Sequence, residues 1–117
     1  MVVEDDSALL HLMVNALQYC VNREVKGFRD SAQVRQYFTE GGRADILITG
    51  VDKPAVNGFA FMVRVKQQHP HLTCIAMSGV ETHAEKAAEK GLDGFLGKPF
   101  EINDLFDIVQ NYVVDSL

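Results

Sequence analysis

The sequence predicts an α/β domain, a three-layer doubly wound sandwich built around a parallel sheet of five strands. Two observations carry the fold class. Short, continuously apolar segments alternate with longer ones whose apolar residues recur at three- and four-residue spacing. Continuous apolar strands joined by helices belong to a parallel sheet covered on both faces, with right-handed crossovers. A third observation sets the domain count: 117 residues, 47% of them hydrophobic, contain no long linker and no low-complexity stretch, so residues 1–117 are expected to form one domain.

The elements follow in order. Residues 1–3 are the tail of a short apolar strand, followed by EDDS. Residues 7–21 read as a helix with Leu9, Met13, Ala16, Leu17 and Cys20 on one face, and Asp6 or Ser7 as its N-cap. EVKGF, residues 24–28, is a weak second strand. A second helix opens at Asp30 or Ser31, turns Val34, Tyr37 and Phe38 inward, and stops at the glycines 41–42. The third strand spans residues 45–49; a helix over residues 58–68 then buries Phe61, Met62 and Val65 before Pro70 ends it. Residues 72–77 form the next strand, residues 82–90 a short, charged, Ala-rich helix closed by Gly91, and residues 94–97 a minimal strand. The last helix, over residues 102–114, points Ile102, Leu105, Phe106, Val109 and Val113 inward.

Composition removes several functions. A formal charge of −5, with no basic run, argues against nucleic-acid binding by this domain, because phosphate contacts need clustered Lys and Arg. The apolar stretches are too short to cross a bilayer, and acidic residues from Glu4 onward argue against a signal peptide. Cys20 and Cys74 lack CxxC spacing and read as buried free thiols of a cytoplasmic protein. The four histidines, His11, His69, His71 and His83, read as scattered over the surface without metal-ligand spacing.

In a doubly wound sheet the C-terminal strand ends share one edge, where ligands bind. Here that edge receives Glu4, Asp5 and Asp6 after the first strand, Gly50 to Lys53 after the third, Ser78 after the fourth and Lys98 after the fifth. Adjacent carboxylates perturb one another unless a cation neutralises them. The candidates are a hard divalent ion such as Mg²⁺ and the ammonium of Lys98.

VVEDD, a Pro and an Asn-Gly after the third strand, MSG and GLDGFLGKPF, in this order along the whole chain, resemble the CheY-like receiver domain of response regulators in bacterial two-component signalling. The resemblance implies a flavodoxin-like sheet in the order 2-1-3-4-5. It implies that Glu4 and Asp5 occupy the acidic-pair positions that hold Mg²⁺, and Ser78 that of the hydroxyl residue that follows the phosphoryl group. Phe95 stands at the switch aromatic, Lys98 at the lysine before a cis-prone Pro99, and Pro54 and Gly58 in the loop after the acceptor strand. The family's phosphoacceptor aspartate lies four residues before that Pro and eight before that Gly, and both counts reach Gly50. Two other departures are Lys53, where the family usually has Met, and a segment from Ser78 to Gly91 about two residues shorter than usual, implying a truncated fourth helix.

Glycine supplies neither nucleophile nor metal ligand. Asp52 is grouped with Glu4 and Asp5 as the acidic pocket that could hold a metal weakly, and its carboxylate is expected to be exposed in the loop, roughly 6–7 Å along an extended chain from Gly50 and outside attack geometry. Lys98 is expected to pair with Glu4 or Asp5, so that no cofactor is required and Mg²⁺ binds at most weakly; Phe95 is expected to serve as packing. The resulting expectation is a non-enzymatic pseudo-receiver in phosphorelay signal transduction. It would act by phosphorylation-independent contact with a sensor kinase, an output domain or another signalling protein, and away from membranes. The alternatives are a phosphorylatable regulator using Asp52 or the acidic pair, and a small-ligand module using the space beside Gly50.

Overall fold

The computed structural model describes residues 1–20, 24–52 and 58–113. Its elements are β1 (Val2–Val3), α1 (Ser7–Cys20), β2 (Gly27–Phe28), α2 (Ser31–Thr39), β3 (Ile46–Gly50), α3 (Gly58–Gln68), β4 (Thr73–Ser78), α4 (His83–Glu89), β5 (Gly94–Gly97) and α5 (Ile102–Val113). The strands form a single sheet in the order β2-β1-β3-β4-β5, and every pairing is parallel.

The period-two geometry of a strand explains why the apolar runs are continuous. Val3, Leu47, Cys74 and Ala76 belong to one core with Val34, Phe59, Phe61, Met62, Val65 and Ala87, beneath α2, α3 and α4. Their chain neighbours Val2, Ile48, Ile75 and Met77 belong to the other core, with Leu10, Met13, Leu17, Leu105 and Val109 of α1 and α5. Helices on both faces require both sides of each strand to be apolar.

Local chemistry sets the helix starts. Asp6 Oδ1 accepts hydrogen bonds from the amides of Ala8 at 3.0 Å and Leu9 at 3.1 Å, so Asp6 caps α1. Asp30 does the same for α2, accepting from Gln33 N at 2.9 Å, while Gln33 Oε1 reaches back to accept from Arg29 N at 2.9 Å. Gly41 and Gly91, at φ +89° and +76°, let the chain leave α2 and α4 through left-handed backbone.

Pairing, rather than apolarity, sets the strand limits. β3 and β4 each close one residue later than the apolar runs, because Gly50 pairs with Met77 and Ser78 with Gly97. β2 contracts to two residues because β1 offers only Val2 and Val3 as partners. α4 is seven residues long, short as expected. Lys53, Pro54 and the expected final helical residue 114 lie outside the described residues.

Candidate functional site

The ends of β1, β3, β4 and β5 converge on the ammonium of Lys98. Glu4 follows β1 and is 3% exposed, and its Oε1 lies 2.7 Å from Lys98 Nζ. The other carboxylate oxygen, Oε2, accepts a hydrogen bond from Asp6 N at 3.0 Å. The Lys98 contact is an ion pair, and Glu4 Oε1 has no hydrogen-bond partner among the described residues. Of the two partners expected for Lys98, the structure selects Glu4 for this contact. Asp5 is half-buried, and its backbone carbonyl accepts from Arg29 Nη2 at 3.2 Å.

Gly50 ends β3 in ordinary backbone, since the positive-φ glycines among the described residues are Gly41 and Gly91. A Cβ added at Gly50 would meet Glu4 Oε1 at 3.6 Å, Asp52 Oδ1 at 3.9 Å and the Val3 carbonyl at 3.9 Å, all ordinary contacts. Gly58 differs: a Cβ there would come within 2.9 Å of Val51 Cα, so the close approach of α3 to β3 requires glycine. Position 50 imposes no such requirement. Its glycine leaves an open direction facing two carboxylates.

Asp52 corrects the sequence-based expectation. It is not an exposed loop carboxylate: its side chain is 26% exposed and turns into the site. Its Oδ2 accepts from Gly79 N at 3.3 Å and lies 3.7 Å from Lys98 Nζ. Separation along the chain does not fix the direction in which a side chain points. Pairing with β4 continues through Val51, whose amide donates to the Met77 carbonyl at 2.9 Å, so positions 50 and 52 face the same side. The two donors then draw the carboxylate back toward the open direction at Gly50.

Ser78 ends β4 and is 1% exposed. Its Oγ accepts from Val80 N at 3.0 Å and lies 2.8 Å from His83 Nδ1. With the ring neutral and its proton on Nε2, the hydroxyl donates to Nδ1 while accepting from Val80 N. Such a buried, committed hydroxyl acts as a tether between β4 and α4. His83 is therefore a second correction: it is half-buried, packed edge-on to Phe59 at 5.2 Å between ring centroids, and part of this site. His69 also leaves the surface set, stacking on Phe38 at 4.4 Å. The only sequence signal for His83 was its place at the start of the short helix after Ser78.

Phe95 is partly buried against the core beneath α2, α3 and α4, as packing requires. The Lys98–Pro99 peptide is cis, and Lys98 N donates to the Ser78 carbonyl at 2.8 Å, fixing the stem of the ammonium beside β4. Among the described residues no group of three His, Cys, Asp or Glu side chains is placed to hold a metal ion. Lys98 Nζ stands 2.7 Å from the Glu4 oxygen that a cation would use.

Away from this edge, Lys66 Nζ bridges Asp93 Oδ2 at 2.9 Å and the Leu72 carbonyl at 2.6 Å, and Asp93 Oδ2 also accepts from Cys74 N at 2.8 Å. Cys74 is a buried free thiol; the side chain of Cys20 lies outside the described set. No helix among the described residues is long and apolar enough to cross a membrane.

Residues 1–110 match the family model of the response regulator receiver domain. The DNA-binding transcriptional regulator NtrC of Azospirillum brasilense is 32% identical over 112 residues, which are 94% of this chain and 23% of that protein. This chain thus spans about a quarter of the length of such relatives. Among solved structures, the receiver domain of NtrX from Brucella abortus superposes with a TM-score of 0.84 at 20% identity, covering 97% of this chain and 96% of that one. The chemotaxis response regulator CheY4 of Vibrio cholerae gives 0.82 at 22% identity, covering 95% and 94%. Both structures share the flavodoxin-like fold, and the chain belongs to the response regulator receiver domain family.

Proposed function

We propose that this domain is a pseudo-receiver: a cytoplasmic, non-enzymatic module of two-component phosphorelay signalling that works through protein contacts without being phosphorylated. The observation that carries the reading is Gly50. It ends β3 among the site groups, its Cβ direction faces Glu4 and Asp52, and it presents no side chain. Phosphoryl transfer to a receiver needs a carboxylate nucleophile in line with the donor phosphorus. Counting from Pro54 and Gly58 puts the family's acceptor at this position. The partners are a sensor kinase, an attached output domain or another signalling protein, and the domain itself binds neither nucleic acid nor membrane. No cofactor is required; Mg²⁺ binds weakly because Lys98 neutralises Glu4 and position 50 adds no ligand.

A second reading has one observation in its favour. Asp52 Oδ1 lies 3.9 Å from where a Cβ at Gly50 would stand, so a displaced acceptor is geometrically closer than sequence distance implies. Incubation with acetyl phosphate and Mg²⁺, read by intact mass spectrometry, separates the two. The pseudo-receiver should show no mass increase. One added phosphoryl group mapping to Asp52, Asp5 or Glu4 would replace the first reading with the second.

A further inference from the structure

We propose that the sheet carries a peptide-binding lane at the end opposite the candidate site, where the C-terminal residues of an extended, apolar partner segment continue the line of β1. β1 lies between β2 and β3, and its hydrogen bonds fix the geometry of the lane. Val2 N donates to the Lys26 carbonyl at 2.9 Å, Met1 N to the Ile46 carbonyl at 3.1 Å, and Ile48 N to the Met1 carbonyl at 2.9 Å. The amide and carbonyl of one strand residue point to the same side. The Lys26 and Ile46 amides therefore face each other across the lane, beyond Met1. The two edges stand about 9–10 Å apart there, twice the spacing of neighbouring strands, which admits one more strand. A cavity of about 250 Å³ occupies this place. Its deep walls are apolar: Leu17, Val25, Ile48 and Val109 line it, each at least nine-tenths buried.

The donors select the occupant. They come from opposite edges at successive positions, the Lys26 amide beside the position adjoining Met1 and the Ile46 amide one residue further out. A peptide backbone offers carbonyls in that alternation, whereas a compact small molecule does not. Charge selects the direction. A peptide running parallel to β1 brings its terminal carboxylate to the Met1 amine, and one running the other way would bring a second amine. Burial lowers the Met1 amine to about 6, with Asp45 opposing the shift, and a carboxylate beside it favours the charged form. Successive side chains of the peptide would face α1 and α5 on one side and Tyr37 of α2 on the other, so apolar residues suit both. Nothing in this lane depends on position 50 or on the pseudo-receiver reading.

The test titrates the 117-residue domain with the peptide acetyl-Lys-Ile-Val-Val, as free acid and as C-terminal amide, followed by the ¹⁵N–¹H spectrum. The acid should bind saturably and shift the Lys26 and Ile46 amides, while Gly79 and Ser78 at the opposite edge do not move. The C-terminal amide should bind about tenfold more weakly, the size of one lost charge-assisted hydrogen bond. Ile46→Pro removes the donor at the first residue of β3, where proline is tolerated, and keeps the carbonyl that Met1 N uses. It should weaken binding of the acid about tenfold, whereas Ile46→Val should leave it unchanged. Joining Lys-Ile-Val directly ahead of Met1 puts a like segment in the lane covalently, so that chain should melt higher and no longer bind the peptide. Absence of saturable binding overturns the proposal. So do equal affinities for acid and amide, shifts centred on Gly79, or a lengthened chain that binds the peptide as before. If Ile46→Pro does not fold, the comparison of acid with amide on the unsubstituted domain decides alone.

Discussion

Substituting Gly50→Asp introduces a carboxylate where the site is already acidic, and the structure sets the size of the effect. Sterics contribute little, since the nearest atoms to the new Cβ lie at 3.6 to 3.9 Å. Charge dominates. The introduced carboxylate would stand about 4–5 Å from those of Glu4 and Asp52, each repulsion amounting to about 3–4 kcal/mol at an effective dielectric near 20. Lys98 returns one attraction of similar size, so one repulsion remains uncompensated. Protonation imposes a ceiling: a carboxyl raised from about 3.9 to pH 7 costs about 4 kcal/mol and no more, because beyond that point it stays protonated. Solvent at Asp52 and Lys98, 26% and 22% exposed, screens part of this, leaving about 1–3 kcal/mol. For 117 residues that is a fall in Tm of roughly 4–12 °C. The sign follows from linkage. The folded state would hold more protons than the unfolded state, so the loss vanishes well below pH 4, is about 0.5 kcal/mol at pH 4 and grows as pH rises above it. Thermal unfolding at pH 4 and pH 7 measures it, with and without Mg²⁺. Mg²⁺ should restore the variant by binding its folded state and do little for the unsubstituted domain. An equal loss at both pH values would mean that sterics, not charge, govern position 50; no loss at pH 7 would refute the inferred direction of its side chain.

Other perturbations test other links. Lys98→Met leaves Glu4 buried without its cation, at a cost of about 3 kcal/mol, and Glu4→Gln in the same chain should recover much of it in denaturant unfolding. Burial pushes the Cys74 thiol up to about 11, so iodoacetamide at pH 8 should leave the Cys74 peptide unlabelled in the folded domain and label it after unfolding, as mapped by mass spectrometry. Asp30→Ala removes the acceptor for Gln33 N and should cost about 1 kcal/mol in urea unfolding, without moving the resonances of Gly79 or Ser78.

The order of elements was legible in the sequence because burial on both faces writes itself as apolar runs, and helices write themselves as three-to-four spacing. Ile46 to Ile48 marked a central strand, Asp30 and Gly41 the two ends of α2, and Glu4, Ser78 and Lys98 the populated edge of the sheet. Gly50 itself was found by counting, which needs no coordinates. Three things were decided only in three dimensions. The Lys98 ammonium joined Glu4 at 2.7 Å, a selection between neighbouring carboxylates that depends on which side of the chain each one faces. Asp52 came back to the site because β3 pairing runs on through Val51, which puts positions 50 and 52 on one side. His83 entered because α4 begins where its ring can reach Ser78 Oγ at 2.8 Å. Each of these is a contact between residues separated by a crossover or a turn, and its geometry is set by strand register and helix docking. Periodicity reports the face on which a side chain lies; the partner it meets there depends on how separate segments pack.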